Sequence, residues 1–284
     1  MAQSYKSAEG YKLDGNAAFR EGNYEKALTA YTQAITKSGG RILTYFTNRA
    51  LCRLRLAESE EQLEKVIEDC EHVLDAKTEL DATVMKAKWY TGQAQLRLGR
   101  PNEAYTSLVA AYRIGIREKN PTAIEMYEKV LEARKMRWER QEHKRLEQDA
   151  GLRQKLVKLV EHDRAWRLQV AGEEDVEQRE AITAEADQTL VQLQEMLARS
   201  DTRYAVREVP EWLICPISLG PFVDPVLTPS GRSYERTAIM QHLKVNPFDP
   251  LTRQPLIAAK IFDNLALRDA CEAFLKDNGW AVDY

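Results

Sequence analysis

A chain of 284 residues is long for one hydrophobic core and suits two or three modules. Its 41 Lys and Arg against 44 Asp and Glu leave a net charge of -3, which excludes a general attraction to nucleic acid, a polyanion that favours a basic surface. With 44% hydrophobic and 30% charged residues the chain is polar, yet its apolar positions recur at helical spacing, so extended helical surfaces are expected rather than disorder or one compact enzyme. No run of about 18 apolar residues occurs, and Met1 to Gly10 lacks the apolar stretch of a secretory signal. A soluble chain without a membrane span is expected, cytoplasmic and with the nucleus as a second compartment. Cys52, Cys70, Cys215 and Cys271 follow no framework spacing, which points to free buried thiols rather than disulfides.

The N-terminal third repeats. Gly15, Ala27, Tyr31 and Ala34 align with Gly92, Ala104, Leu108 and Ala111, at offsets of 12, 16 and 19 in both sets. A middle copy keeps Ala50, then reaches Val66, Cys70 and Val73 after four extra residues near Ala57 to Glu61, where two helices should turn. Each unit reads as helix, short turn and helix, with small residues that let two backbones approach. The pattern is similar to tetratricopeptide repeats of about 34 residues, which stack into a superhelix with a concave groove lined by the first helix of each pair. Phe19, Tyr24, Tyr31, Tyr45 and Phe46 fall at packing positions, and Cys52 and Cys70 read as small buried residues.

Lys12 and Asn16 are four apart and share one face of the first helix. Asn48 and Lys86 lie on the first helices of the next two copies, where the superhelix should bring them alongside. Two ammonium groups and two amide donors suit carboxylates. The set resembles dicarboxylate-clamp repeats, which hold the C-terminal Glu-Glu-Val-Asp tail of cytosolic heat-shock chaperones. That pattern ends in Lys-x-x-x-Arg, whereas this chain has Lys86-Ala87-Lys88-Trp89-Tyr90. Lys88 could then supply charge, and Trp89 or Tyr90 an apolar wall.

From Pro121 to Arg207 the residues are helix formers, broken once at Gly172-Glu173-Glu174-Asp175. Leu152, Leu156 and Leu159, then Leu190, Leu193 and Leu197, form one apolar stripe on each of two long helices, so an antiparallel hairpin is expected. A two-helix hairpin buries little alone, which makes a homodimer the expected state. Arg134 to Arg145 is basic but interleaved with Glu139 and Glu142, and reads as a salt-bridged, solvated helix rather than a nucleic-acid or membrane patch. His143 and His162 read as surface.

After Val209-Pro210, prolines punctuate a module of about 70 residues. Asp224 to Tyr234 reads as two short strands about Pro229-Ser230-Gly231, followed by a helix over Arg236 to Lys244 and a last helix from Asn264 to Asn278. Cys215-Pro216-Ile217-Ser218 looks like the opening of a RING finger with Ser218 at the second ligand position. Four Cys or His ligands are needed per zinc, and only Cys215, His242 and Cys271 follow residue 210, so no metal and no other cofactor is expected. The module resembles the U-box, the metal-free RING relative, through Leu213, Cys215, Ile217, Asp224-Pro225-Val226, Ser230-Gly231, Tyr234, Phe248-Asp249-Pro250, Thr252-Arg253 and Asn264-Leu265-Ala266-Leu267.

The expected fold is mainly α: a tetratricopeptide superhelix over residues 1–120, a charged helical hairpin for dimerisation over 121–208, and a small α+β U-box with a C-terminal helix over 209–284. The combination is similar to a family of co-chaperone ubiquitin ligases. That resemblance implies that the repeats hold a chaperone tail while the U-box recruits a ubiquitin-conjugating enzyme, so that ubiquitin passes to a lysine of a misfolded client without a covalent intermediate on the ligase. It implies that Ile217 and Pro250 form the apolar docking surface, that Arg253 bridges conjugating enzyme and ubiquitin, and that His242 lies near them. Cys215 and Cys271 lack a neighbouring base motif and do not read as nucleophiles. A non-catalytic chaperone adaptor is the competing reading.

Overall fold

A computed structural model describes residues 6–76, 81–171, 175–200 and 208–283. The Gly172 to Glu174 part of the expected helix break therefore lies outside the described residues. Two compact units are present, Met1–Trp138 together with Glu211–Tyr284, and Glu139–Pro210.

In the first unit, three helix pairs follow the sequence repeat: α1 (Ala8–Arg20) with α2 (Tyr24–Ser38), α3 (Leu43–Leu56) with α4 (Glu60–Asp75), and α5 (Asp81–Arg97) with α6 (Pro101–Arg117). Local chemistry sets their ends. Ser7 and Asn23 accept backbone N–H bonds at the starts of α1 and α2, and Ser59 forms a reciprocal capping box with Gln62 at α4. Gly22 and Gly99 turn the chain inside the first and third pairs at φ of 78° and 67°, where a side chain would be strained. Gly15 lies under the Tyr31 ring and Gly92 under Leu108, so the repeated glycines are points of close helix approach. Ala27, Ala34, Ala50, Ala104 and Ala111 are buried between the layers, and Cys52 and Cys70 are buried free thiols. Burial pushes both thiols up to about 12, which keeps them protonated.

The helix α7 (Ala123–Val170) caps the third pair, burying Ala123, Met126, Tyr127, Val130 and Ala133 in the repeat core. The C-terminal module belongs to this same unit. It has strands β1 (Pro225–Leu227) and β2 (Ser233–Glu235), helix α9 (Arg236–Val245), strand β3 (Phe262–Asp263) and helix α10 (Leu265–Asp277), and it follows α8 (Val176–Ser200) of the second unit in the chain. The antiparallel sheet has order β2-β1-β3, with Val226 opposite both Tyr234 and Asp263. Two strands and both helices match the sequence expectation. The third strand was not foreseen, because Phe262 and Asp263 are two exposed residues with no alternation to betray them.

Arg134 departs from the expectation of a solvated basic run. It is 6% exposed and donates to the Phe222 carbonyl at 3.1 Å and to the Tyr105 hydroxyl at 3.0 Å. Further along the run the expected pairs are present, Arg145 with Glu142 and Asp149, and exposed His143 with Glu147. In the second unit the remainder of α7 runs against α8 (Val176–Ser200), burying Ile182 and Ala186. Ion pairs Arg164–Asp187 and Arg167–Glu185 link these helices. Leu156, Leu190, Leu193 and Leu197 are half-buried, whereas Leu152 and Leu159 stay exposed. Among the described residues no helix is long and apolar enough to cross a membrane.

Candidate functional site

The first helices of the three pairs are neighbours. Helix α3 packs on α5, and Tyr45 of α3 reaches α1 by donating to Glu9 at 3.1 Å. Lys12 donates to the other oxygen of Glu9 at 2.8 Å. Lys12 is thereby tethered beside Tyr45, and Glu9 lies below its usual range because Lys12 hydrogen-bonds to it. One turn on, the Tyr31 hydroxyl donates to the Asn16 side-chain oxygen at 2.8 Å. That bond occupies the amide acceptor and leaves its N–H groups for another acceptor. Tyr31 and Tyr45 are buried packing residues, as expected, but their hydroxyls also orient the two α1 residues. Sequence periodicity could not reveal this second role.

Asn48 is half-buried on α3 and Lys86 exposed on α5. Trp89 and Tyr90 are 7% and 8% exposed and belong to the core shared by the second and third repeats. Little of either ring is therefore open to a ligand. Lys88 is half-buried.

In the C-terminal module, two loops are each held by a buried carboxylate. Ile217 sits in a turn closed by Cys215 N–H donating to the Gly220 carbonyl at 2.9 Å, and the Cys215 sulfur accepts from Glu235 N–H at 3.2 Å. The Glu235 carboxylate accepts from Val223 N–H at 2.8 Å, from Asp224 N–H at 3.1 Å and from the Tyr112 hydroxyl. Burial raises its pKa to about 7, although those donors pull the other way. Pro250 sits in the second loop, next to Asp249. The Asp249 carboxylate accepts from Ser230 and Tyr234 hydroxyls at 2.7 Å, from the Thr228 hydroxyl at 3.2 Å, and from Leu251 and Thr252 N–H at 2.9 and 3.0 Å. Burial raises it, but five donors outweigh burial and hold it well below the usual carboxylate range.

His242 places its Nε2 3.1 Å from the Phe248 carbonyl and its ring edge-on to Phe248, so it braces the second loop. Arg253 is exposed, at φ 57°. Ile217 and Pro250 are half-buried, while Leu219 and Leu251 in the same loops are 69% and 56% exposed. No sequence pattern marks these two leucines, although each lies within two residues of Ile217 or Pro250. Cys215 and Cys271 are buried, and burial pushes the Cys271 thiol up to about 12.

Residues 209–280 match the model of the U-box domain, and residues 133–207, most of α7 with α8, match the model described as the CHIP N-terminal tetratricopeptide repeat domain. The E3 ubiquitin-protein ligase CHIP of Arabidopsis thaliana is 34% identical over 278 residues, covering 96% of this chain and 95% of that protein. The chain belongs to the CHIP family. It is a ubiquitin-protein ligase with tetratricopeptide-like helical repeats and a U-box, as its resemblance in sequence implied. Two further relatives cover its parts. U-box domain-containing protein 37 of Arabidopsis thaliana is 35% identical over 103 residues, 35% of this chain and 25% of that one. DnaJ homolog subfamily C member 7 of Mus musculus is 31% identical over 160 residues, 55% of this chain and 26% of that one.

Proposed function

We propose that the repeat groove of this ligase holds the C-terminal Glu-Glu-Val-Asp tail of a heat-shock chaperone, and that the U-box docks a ubiquitin-conjugating enzyme charged with ubiquitin, so that the misfolded client on the chaperone is modified. The observation that carries the first half is the preparation of Lys12 and Asn16. One is tethered beside Tyr45, and the other has its acceptor occupied by Tyr31, so both present donors. Asn48 and Lys86 extend that donor row across α3 and α5. Trp89 and Tyr90 are almost wholly buried and contribute little of a wall.

The docking half rests on two loops carrying apolar residues on rigid supports: Ile217 with Leu219, and Pro250 with Leu251. Arg253 offers an exposed fork of donors suited to bridging two partners. The reaction needs no nucleophile from this chain, whose C-terminal cysteines are buried. The conjugating enzyme brings the thioester, and the ligase contributes proximity and orientation. The exposed apolar residues Leu152, Leu159, Trp166, Val191 and Met196 on the hairpin suit a second copy, giving a homodimer. Cytoplasm and nucleus are the compartments that fit such partners.

The test of the groove is binding of a peptide ending in Glu-Glu-Val-Asp by calorimetry. Lys12→Ala is expected to weaken it by at least about tenfold, the scale of one charge-assisted hydrogen bond, without changing helical content. Equal affinity would contradict the clamp.

A further inference from the structure

The two loop carboxylates are supported differently. Among the described residues, every donor to Asp249 lies between Thr228 and Thr252, inside the U-box itself. Glu235 is completed from elsewhere, by the hydroxyl of Tyr112 on α6, 123 residues away in sequence. The same side of the first loop receives two more bonds from outside the U-box. The Tyr127 hydroxyl donates to the Pro221 carbonyl at 2.8 Å, and Arg134 donates to the Phe222 carbonyl at 3.1 Å. Tyr127 also lies directly against Gly220, whose carbonyl closes the Ile217 turn; a methyl there would come within 2.7 Å of the Tyr127 oxygen. Thus the outgoing limb of the Ile217 turn, residues 220–224, is fastened by α6 and α7.

We propose that Tyr112 and Tyr127 are positioning residues for ubiquitin transfer, holding the Ile217 turn in the shape that receives the conjugating enzyme. A carboxylate that loses one of its donors inside a protein loses restraint on the segment it organises, here the N–H groups of Val223 and Asp224. The third repeat and the helix that caps it therefore act as part of the U-box scaffold. The inference rests on the reading of Ile217 as a docking residue.

The experiment uses the full chain and steady-state ubiquitin transfer, titrating a conjugating enzyme that supports wild-type activity. Three variants are compared: Ile217→Ala, Tyr112→Phe and Tyr127→Phe. Both phenylalanine variants keep the ring and remove only the donor. Each is expected to raise KM for the conjugating enzyme about three- to tenfold, the range for loss of one hydrogen bond. The kcat at saturation and the affinity for the tail peptide should stay at wild-type values. Hydrogen exchange of residues 215–224 should quicken in both. A merely structural role would lower the active fraction and hence kcat while leaving KM in place. If Ile217→Ala raises KM and neither phenylalanine variant does, the inference is overturned. If Ile217→Ala also leaves KM unchanged, the docking reading itself falls, and the inference with it.

Discussion

Glu235 and Asp249 are both buried carboxylates that organise loops, yet they carry opposite pH signatures. Asp249 has five donors and is held below the usual range, so its stabilisation is present above the unfolded carboxyl value and lost as pH falls toward its folded one. Glu235 is less well compensated, and burial lifts it from 4.5 to about 7. Its folded value lies above its unfolded value. The contribution is therefore complete below about pH 4.5, declines as pH rises and is gone above about pH 7. A shift of that size corresponds to about 3 kcal/mol. Unfolding of the U-box followed in wild type and in Glu235→Gln should give a stability difference that falls by this order across the window. Parallel pH profiles would show that Glu235 keeps an ordinary acidity when folded. None of this was legible in sequence. Glu235 stands beside Tyr234 as one more polar strand residue, and the donor that marks it as special comes from α6.

At the scale of elements, what sequence reading recovers is whatever repeats or is local. The spacing of Gly15 to Tyr31 and of Gly92 to Leu108 reported close helix approach directly, because only a residue without Cβ fits there. That Lys12 and Asn16 share one face of α1 is equally legible, since their spacing alone sets it. Arg134 escapes sequence analysis for the converse reason. Its charged neighbours lie nearby in sequence, but its burial is imposed by Phe222, 88 residues away. Gly92→Ala tests the close-approach account. The added methyl would lie 2.6 Å from the Leu108 side chain and 3.3 Å from its backbone nitrogen. Leu108 can shift its side chain but not its backbone, so overpacking should outweigh the gain of roughly 1 kcal/mol in helix propensity, with a net loss of about 1–2 kcal/mol by denaturant unfolding. A stabilised variant would mean that α5 and α6 are less closely packed.

At the scale of the molecule, the U-box is not an independent bead on the chain. It shares a compact unit with the repeats, while the rest of α7 forms a separate unit with α8. A division by composition places all of α7 with the hairpin, because helix formers run from Pro121 to Arg207 and prolines punctuate the chain only after Val209. It could not register that the first turns of α7 carry the buried face that meets both the repeats and residues 220–222. The proposed ligase selects by a tail and transfers through its loops. The most direct test is ubiquitin transfer to a folded protein bearing a C-terminal Glu-Glu-Val-Asp extension, in an excess of zinc chelator, with wild type, Lys12→Ala and Pro250→Ala. Wild type should modify the tailed protein and not its untailed form. Lys12→Ala should lose that modification while still assembling free chains, and Pro250→Ala should lose both. Equal modification of tailed and untailed proteins, or full activity of both variants, would contradict the account.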